Sequence, residues 1–210
     1  MTYYVAIDIG ASSGRVILAK KEDWRLDLQE VHRFKNSFSE IDGCDRWNVD
    51  RLVKNVLIGL EKVKKCGVET CTIGIDTWAV DYCLLDSSGN ILAQPIAYRD
   101  KRTQGAMENI FQQISKEEVY RKTGIQFLQF NTLYQLVVED RTLLDKTDKI
   151  LMIPDYIAYC LTGEQVGEVT NWSTSQLLNL KTRTFDQDLL DILQLSRDKF
   201  PKLIEAGEVI

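Results

Sequence analysis

The sequence has 210 residues, 44% of them hydrophobic, and its 31 acidic and 26 basic side chains give a formal net charge of −5. This composition excludes a mainly disordered chain, because the apolar content suffices to offset the conformational entropy of the chain. The net negative charge gives no sign of a basic surface that would bind nucleic acid. No apolar run approaches the roughly 20 residues that cross a bilayer, so no membrane partner is expected. The five cysteines include no Cys-x-x-Cys pair, which predicts reduced thiols in a cytoplasmic protein.

The start of the chain is predicted to form an antiparallel meander of three strands. Residues 3–9 and 15–19 are apolar and rich in β-branched side chains, and strand character returns over residues 26–34. Small residues and glycines between the first two strands, over Gly10–Gly14, indicate a tight turn.

An amphipathic helix is predicted next, from Val49 to Val63, because apolar side chains recur there at spacings of three and four. Gly67 follows the basic end of this helix and is typical of a C-terminal stop. Two further strands are predicted over residues 70–76 and 80–85. A meander followed by a helix and a strand indicates an α/β fold, with helices packed on a mixed sheet.

Beyond Pro95 the chain is predicted to be mainly helical. The predicted helices cover residues 103–114, 116–121, 133–144, 154–161 and 186–193, and a short strand covers residues 150–153. Pro154 suits the first turn of a helix and Gly163 suits a helix end, which supports the helix between them.

The turn after the first strand, with its neighbours Asp8 and Arg15, has the clearest chemical signal. Small residues and two glycines leave backbone N–H groups uncovered, and such a concavity binds anions. Ser12 and Ser13 add hydroxyl donors, Arg15 adds a positive charge for phosphate, and Asp8 suits a water of a hydrated Mg²⁺. A plain hairpin, whose small residues serve only the turn geometry, is the alternative that chemistry alone leaves open.

Other motifs that use small residues do not fit this turn. Gly10-x-Ser12-x-Gly14 matches the nucleophile elbow of α/β-hydrolases, but a helix follows that motif and residues 15–18 are strand-like. The hydrolase also needs a histidine base, and the only histidine, His32, lies in a predicted strand close to the turn. The P-loop and the GxGxxG dinucleotide fingerprint are absent from the sequence.

The turn resembles the first phosphate-binding hairpin of the superfamily that contains actin, hexokinase, Hsp70 and sugar kinases. Later motifs follow in the order seen in FGGY carbohydrate kinases, to which essentially the whole chain is similar. These motifs are Gly74-Ile75-Asp76-Thr77-Trp78, Leu84-Leu85-Asp86-x-x-Gly89, Pro95-x-x-Tyr98-Arg99-Asp100-x-Arg102-Thr103 and Leu151-Met152-x-Pro154-Asp155-Tyr156. The resemblance implies an RNase H-like N-terminal domain over residues 1–210, with a mixed five-stranded sheet and flanking helices.

Within the family, the chain is most similar to the members that act on L-rhamnulose. This similarity is carried by Asp8–Arg15, by Gly74–Trp78 and by Gly124-Ile125-Gln126-Phe127-Leu128-x-Phe130-Asn131-Thr132-Leu133-Tyr134-Gln135-Leu136. It implies ATP-dependent phosphorylation of L-rhamnulose at its terminal hydroxyl, with Mg²⁺. A kinase for another ketose or polyol, such as L-fuculose or D-xylulose, and a non-catalytic sugar- or nucleotide-binding module are the alternatives. In the family, the catalytic aspartate belongs to a C-terminal ATP-binding domain, so no residue of this chain matches the catalytic base. The 210 residues alone are therefore predicted to turn over nothing measurable.

The resemblance also assigns binding residues. The ATP phosphates are expected at Ala11, Ser12, Ser13, Gly14 and Arg15, and a sugar contact is expected in the loop that contains Ala79. Polyol recognition needs carboxylate and amide groups that converge on hydroxyls. The further candidates for this pocket are Asp76, Asp81, Asp100, Arg102, Asn131 and Gln135.

Four of these candidates have a purely structural alternative. Asp81 alternates with Tyr82, which is compatible with an exposed strand position. Asp100 and Arg102 are close enough in sequence for a surface ion pair of little energetic weight. Asn131 precedes the predicted helix near Leu133 and is a suitable cap for it.

Overall fold

The computed structural model describes residues 2–210, which fall into two compact units. The first unit comprises residues 2–38 and 47–78, and the second comprises residues 39–46 and 79–210. The strands are β1 (Thr2–Ile9), β2 (Ser13–Glu22), β3 (Arg25–Lys35), β4 (Phe38–Ile41), β5 (Cys44–Trp47), β6 (Thr72–Thr77), β7 (Tyr82–Leu85), β8 (Lys149–Met152), β9 (Val166–Glu168) and β10 (Lys202–Ile204). The helices are α1 (Val49–Lys65), α2 (Ala106–Phe111), α3 (Lys116–Thr123), α4 (Thr132–Val137), α5 (Arg141–Lys146), α6 (Ile153–Thr162), α7 (Val169–Ser173) and α8 (Gln187–Leu193), with short 3-10 helices over Lys101–Thr103 and Arg197–Lys199.

The first unit is built on a four-stranded mixed sheet in the order β3-β2-β1-β6. β2 pairs antiparallel with both β1 and β3, whereas β6 runs parallel to β1. Parallel pairing requires a long connection between the strands, and α1 lies within it. The predicted meander, the first helix and the strand that follows it are confirmed.

Helix α1 packs on one face of this sheet. Its glycine, Gly59, allows the close approach of β2, because a Cβ atom there would lie 2.4 Å from a methyl carbon of Val16. The helix begins at Asn48, whose side chain accepts a hydrogen bond from the amide of Arg51 at 2.8 Å. Lysines in its last turn interact favourably with the negative end of the helix dipole.

The second unit is mainly helical and contains only two-stranded sheets. β7 pairs antiparallel with β8, β9 pairs parallel with β10, and β4 pairs with β5. Trp172 is fully buried in the core, where its indole meets the rings of Phe185 and Phe200 edge-on, with centroids 5.0 and 5.9 Å away. No helix among residues 2–210 combines the length and the apolar character needed to cross a bilayer.

The α/β fold class and the mixed sheet are confirmed, but three details of the prediction are wrong. The sheet has four strands rather than five, because β7 pairs with β8 and not with β6. The helix predicted over residues 103–114 is interrupted at Gly105, whose φ of 78° is left-handed, so α2 begins only afterwards. The helix predicted over residues 133–144 is two helices, because the Asp140 carboxylate accepts a bond from the Thr142 amide at 2.7 Å and starts α5.

Candidate functional site

The turn between β1 and β2 is held in place by its own backbone and by Asn36, the residue that follows β3. The Gly10 amide donates to the carbonyl of Ser13 at 2.9 Å. Asn36 donates twice, from its backbone amide to the carbonyl of Ser12 at 3.0 Å and from its side-chain amide to the carbonyl of Gly10 at 2.9 Å. Since the Asn36 side chain is buried, these bonds fasten the turn to the sheet.

Two backbone amides of the turn are left available for an external acceptor. Within residues 2–210, the N–H groups of Ala11 and Ser12 donate to no protein atom, and Ser12 is exposed. The amide of Gly10, in contrast, is already engaged. Adjacent free amides in a turn of small residues are the arrangement that binds an anion.

Gly14, at the start of β2, is required by packing. A Cβ atom on this residue would lie 2.2 Å from the ring of Phe34 on β3, and both residues are buried. At Gly10 the nearest atom to such a Cβ would be the Ser13 carbonyl oxygen at 3.6 Å, an ordinary contact. The two glycines of the turn therefore have different physical roles.

Charged side chains lie beside the turn at the carboxyl ends of β1 and β6. The Arg15 Nε donates to Asp8 Oδ2 at 2.8 Å, and both side chains remain partly exposed, at 44% and 41%. Asp76 on β6 stands opposite Asp8 in the parallel register and is also exposed. Carboxylate oxygens of this kind suit Mg²⁺, which takes one or two carboxylates together with waters and phosphate oxygens.

The remaining predicted sugar-site residues belong to the second unit. Ala79 is half-buried, whereas Asp81 is almost fully buried, which rules out the alternative of an exposed strand position. The carboxylate of Asp81 accepts bonds from the Tyr98 amide at 3.1 Å and from Gln135 Nε2 at 3.0 Å. Asp81 is thus held rigidly at the start of β7.

Asp100 and Arg102 do not form the surface ion pair considered as an alternative. Asp100 accepts the backbone amides of Asp45 at 2.8 Å and Arg102 at 2.7 Å, one on each carboxylate oxygen. The guanidinium of Arg102 instead pairs with Glu139 at 2.7 Å, and the two side chains are only 13% and 6% exposed. Asp100 therefore stabilises its loop, and Arg102 belongs to a buried ionic cluster.

Tyr82 completes this buried cluster. Its hydroxyl donates to Glu139 at 2.7 Å, and Arg102 also contacts it at 3.3 Å. Burial raises the pKa of Tyr82 well above its ordinary value, and the charge of Glu139 raises it further. Burial alone lowers the pKa of Arg102, but its interactions with Tyr82 and Glu139, including hydrogen bonds to both, outweigh burial and raise it. Tyr82 consequently keeps its proton and Arg102 its charge at neutral pH.

Asn131 occupies the N-cap position of α4, but its side chain makes no capping bond. It donates to the carbonyl of Gln126 at 2.8 Å, so it ties down the preceding loop. Gln135, on the same helix, donates to the carbonyls of Val80 and Phe130 at 3.2 and 2.9 Å. Both predicted amide residues are buried and face the backbone of neighbouring loops.

Three residues that organise these regions were not among the predicted ones. Asn36, Tyr82 and Glu139 act through partners 26 to 57 positions away in the sequence. No spacing pattern or local motif in the sequence marks such long-range pairs, which become visible only in the folded chain.

Comparison with known proteins identifies the family. The sequence profile described as "FGGY family of carbohydrate kinases, N-terminal domain" matches residues 3–210. The chain therefore belongs to the FGGY family of carbohydrate kinases and corresponds to its N-terminal domain.

The chain is similar in sequence and in fold to individual members of this family. The chain is 55% identical, over its full length, to a protein named rhamnulokinase from Ligilactobacillus salivarius, and 54% identical to one from Lactiplantibacillus plantarum. It spans 43% of the length of each of these relatives. A crystal structure of a xylulose kinase from Lactobacillus acidophilus covers the whole chain with a TM-score of 0.84 at 22% identity, and the chain covers 43% of it, which establishes the shared fold.

Proposed function

We propose that this chain is the N-terminal domain of an ATP-dependent kinase that phosphorylates L-rhamnulose at its terminal hydroxyl to L-rhamnulose 1-phosphate. The observation that carries this proposal is the 55% identity, over the whole chain, to a protein named rhamnulokinase. The available amides of the turn between β1 and β2 support it independently, because a phosphate-binding turn is what such a kinase needs.

In this proposal the turn binds the phosphates of ATP. The backbone amides of Ala11 and Ser12 donate to phosphate oxygens, and the hydroxyls of Ser12 and Ser13 add further donors. Arg15 supplies positive charge, and Gly14 allows the turn to sit close to Phe34. These residues are the ATP-binding set expected from the sequence.

Asp8 is proposed to hold a water molecule of the Mg²⁺ ion that accompanies ATP. The ion neutralises phosphate charge during phosphoryl transfer. The Arg15 guanidinium already contacts Asp8 at 2.8 Å, which favours this indirect contact over direct coordination.

For the sugar, we propose contacts with Ala79, Asp76, Asp81 and Asp100. Asp81 has the best-defined position, because two donors hold its carboxylate. Each carboxylate oxygen of Asp100 already accepts a hydrogen bond from one backbone amide, so a sugar hydroxyl would share those oxygens with the amides. Acceptors held in place within one unit, as Asp81 and Asp100 are within the second, suit polyol recognition, since unpaired hydroxyls are costly to bury.

The catalytic base is proposed to lie in a C-terminal domain outside these 210 residues, and the isolated chain is expected to be inactive. Phosphoryl transfer depends on positioning and on charge stabilisation from both sides of the reacting group. The cytoplasm is the proposed location, supported by the lack of any disulfide among the five cysteines, all within residues 2–210.

The test is an ADP-release assay with the full-length protein, MgATP and a panel of L-rhamnulose, L-fuculose and D-xylulose. We expect kcat/KM for L-rhamnulose to exceed the other values by at least about tenfold. A preference for another ketose would refute the sugar assignment, and the absence of phosphorylation of every sugar would refute the kinase assignment. The 210-residue chain serves as the inactive control.

A further inference from the structure

The loop that follows β6 contains a strained residue. Val80 has a φ of 70°, in the left-handed region, although its side chain is β-branched and buried. Branched residues avoid this conformation, so it persists only where surrounding groups hold it. Two side chains of α4 do so, because the carbonyl of Val80 accepts bonds from Thr132 Oγ1 at 2.8 Å and from Gln135 Nε2 at 3.2 Å.

Gln135 holds the next residue as well. The same Nε2 also lies 3.0 Å from Asp81 Oδ1 and 2.9 Å from the carbonyl oxygen of Phe130, so its two N–H groups are shared among three acceptors. One side-chain amide therefore restrains both the strained backbone of Val80 and the carboxylate of Asp81. It can do so only when its nitrogen, and not its oxygen, faces them.

The Arg102–Glu139 ion pair sets this orientation. Arg102 Nη2 donates to Gln135 Oε1 at 3.2 Å, and Arg102 offers no acceptor, so the amide oxygen must point towards it. Glu139 holds the guanidinium in turn at 2.7 Å, and Tyr82 donates to the same carboxylate oxygen. The orientation of Gln135 is thus fixed from both sides, by acceptors that require its nitrogen and by Arg102, which the buried ion pair holds against its oxygen.

A buried ion pair is a poor means of stabilising a fold, because desolvation of two charges cancels most of their attraction. Apolar residues of similar size often stabilise the same position equally well or better. The position of this pair, in contact with the side chain that holds the strained loop, therefore favours a role in orientation over a role in stability.

We propose that Arg102 and Glu139 are positioning residues for the sugar loop Ala79–Asp81. They orient the Gln135 amide, which keeps Val80 left-handed and holds the buried carboxylate of Asp81, so that the backbone of this loop is fixed for contact with the sugar. The sugar contact itself rests on the proposed function, whereas the restraint of the loop does not.

The decisive variant replaces the whole pair by apolar residues of similar length, Arg102→Met with Glu139→Leu, in the full-length protein. If the pair served only stability, this double variant would keep wild-type kinetics. We expect KM for L-rhamnulose to rise at least about tenfold and KM for ATP to change less than about twofold. The thermal midpoint is expected to fall modestly, because the buried Tyr82 hydroxyl and the Gln135 amide oxygen lose the partners that Glu139 and Arg102 provide. The exposed pair Glu118–Arg121, changed to glutamines, is the matched control, for which no KM change is expected.

Hydrogen exchange provides a readout that needs no activity. In the double variant, the amides of residues 79–82 are expected to exchange faster than in the wild type, with unchanged exchange in α1. Unchanged exchange in this loop together with an unchanged KM for the sugar overturns the proposal. If the wild type phosphorylates no ketose, the proposed function fails, and exchange alone then decides whether the pair restrains the loop.

A near-isosteric variant, Gln135→Glu, tests the central link between the ion pair and the loop. It keeps an oxygen for Arg102 but removes the donor to Val80 and places a carboxylate against Asp81. We expect faster exchange of the loop and a higher KM for the sugar, as in the double variant. Exchange and kinetics equal to the wild type would exclude Gln135 as the link.

Discussion

The side-chain amide of Asn36 reaches across 26 residues of sequence to donate to the carbonyl of Gly10 at 2.9 Å. This bond joins the end of β3 to the turn that has the available amides of Ala11 and Ser12. Asn36 therefore holds the turn in place, although its side-chain amide would not itself contact a ligand.

Asn36→Ala is therefore expected to weaken ATP binding by loosening the turn. One buried hydrogen bond is lost, which costs about 1 kcal/mol of stability. In the full-length protein, KM for ATP should rise about threefold to tenfold with little change in KM for the sugar, as measured by ADP release. Ser37→Ala, at the exposed neighbouring position, is the control, and an equal effect from both variants would contradict a specific role for Asn36.

The two glycines of the turn should respond differently to the same substitution. Gly14→Ala places a Cβ atom 2.2 Å from the ring of Phe34 and should lower the free energy of unfolding by about 1 to 3 kcal/mol. Gly10→Ala makes only an ordinary contact at 3.6 Å and should change stability by less than about 1 kcal/mol. Chemical denaturation of the two variants measures both values. Equal losses would show that packing against Phe34 is not what requires glycine at residue 14.

A buried ion pair and an exposed one in the second unit allow a direct comparison. Lys122 contacts both carboxylate oxygens of Asp186 at 3.0 Å, with side chains 11% and 5% exposed, whereas the Arg183–Glu205 pair is more than half exposed. The hydrogen bonds that Lys122 donates to Asp188 and Asp186 raise its pKa against the effect of burial, so it is charged at neutral pH.

Lys122→Met should therefore cost about 3 kcal/mol, because it leaves Asp186 buried without its cation. Arg183→Met should cost less than about 1 kcal/mol, since solvent already screens that pair. Thermal unfolding of the two variants is the measurement. Similar midpoints would mean that Asn179, which donates to Asp186 at 2.8 Å, compensates for the missing lysine.

Local patterns were sufficient to predict the first unit. Helix α1 follows from apolar spacing between Val49 and Val63, and the meander follows from β-branched runs around the small residues of Gly10–Gly14. These signals come from residues close in sequence, where periodicity reports directly on which face is buried. The ATP-site and sugar-site assignments themselves stay predictions.

The second unit was harder to predict because its helices are short and its restraints are long-range. Gly105 and Asp140 interrupt helical spacing that looks continuous in the sequence. The left-handed backbone of Val80 contradicts the local preference of valine and depends on side chains more than 50 positions away. Such a conformation cannot be derived from propensities, since it exists only once tertiary contacts form.

Asp155, on α6, makes the stability of the second unit depend on pH. Burial raises its pKa to about 7, although its carboxylate accepts bonds from the indole of Trp172 at 2.8 Å and the amide of Glu168 at 3.2 Å. In the unfolded chain its pKa is about 3.9. Because the folded state binds the proton more tightly, the free energy of unfolding should fall as pH rises from about 4 to about 7, by at most about 4 kcal/mol.

Asp155→Asn removes this titration and should flatten the dependence of the thermal midpoint between pH 5 and pH 8. The variant should also be less stable than the wild type at pH 5, because its amide nitrogen meets an N–H donor where the carboxyl group accepted a hydrogen bond. Asp148→Asn, at an exposed position, should keep the wild-type slope. If Asp155→Asn also kept that slope, the pH dependence would have to come from another group, and the raised pKa of Asp155 would be wrong.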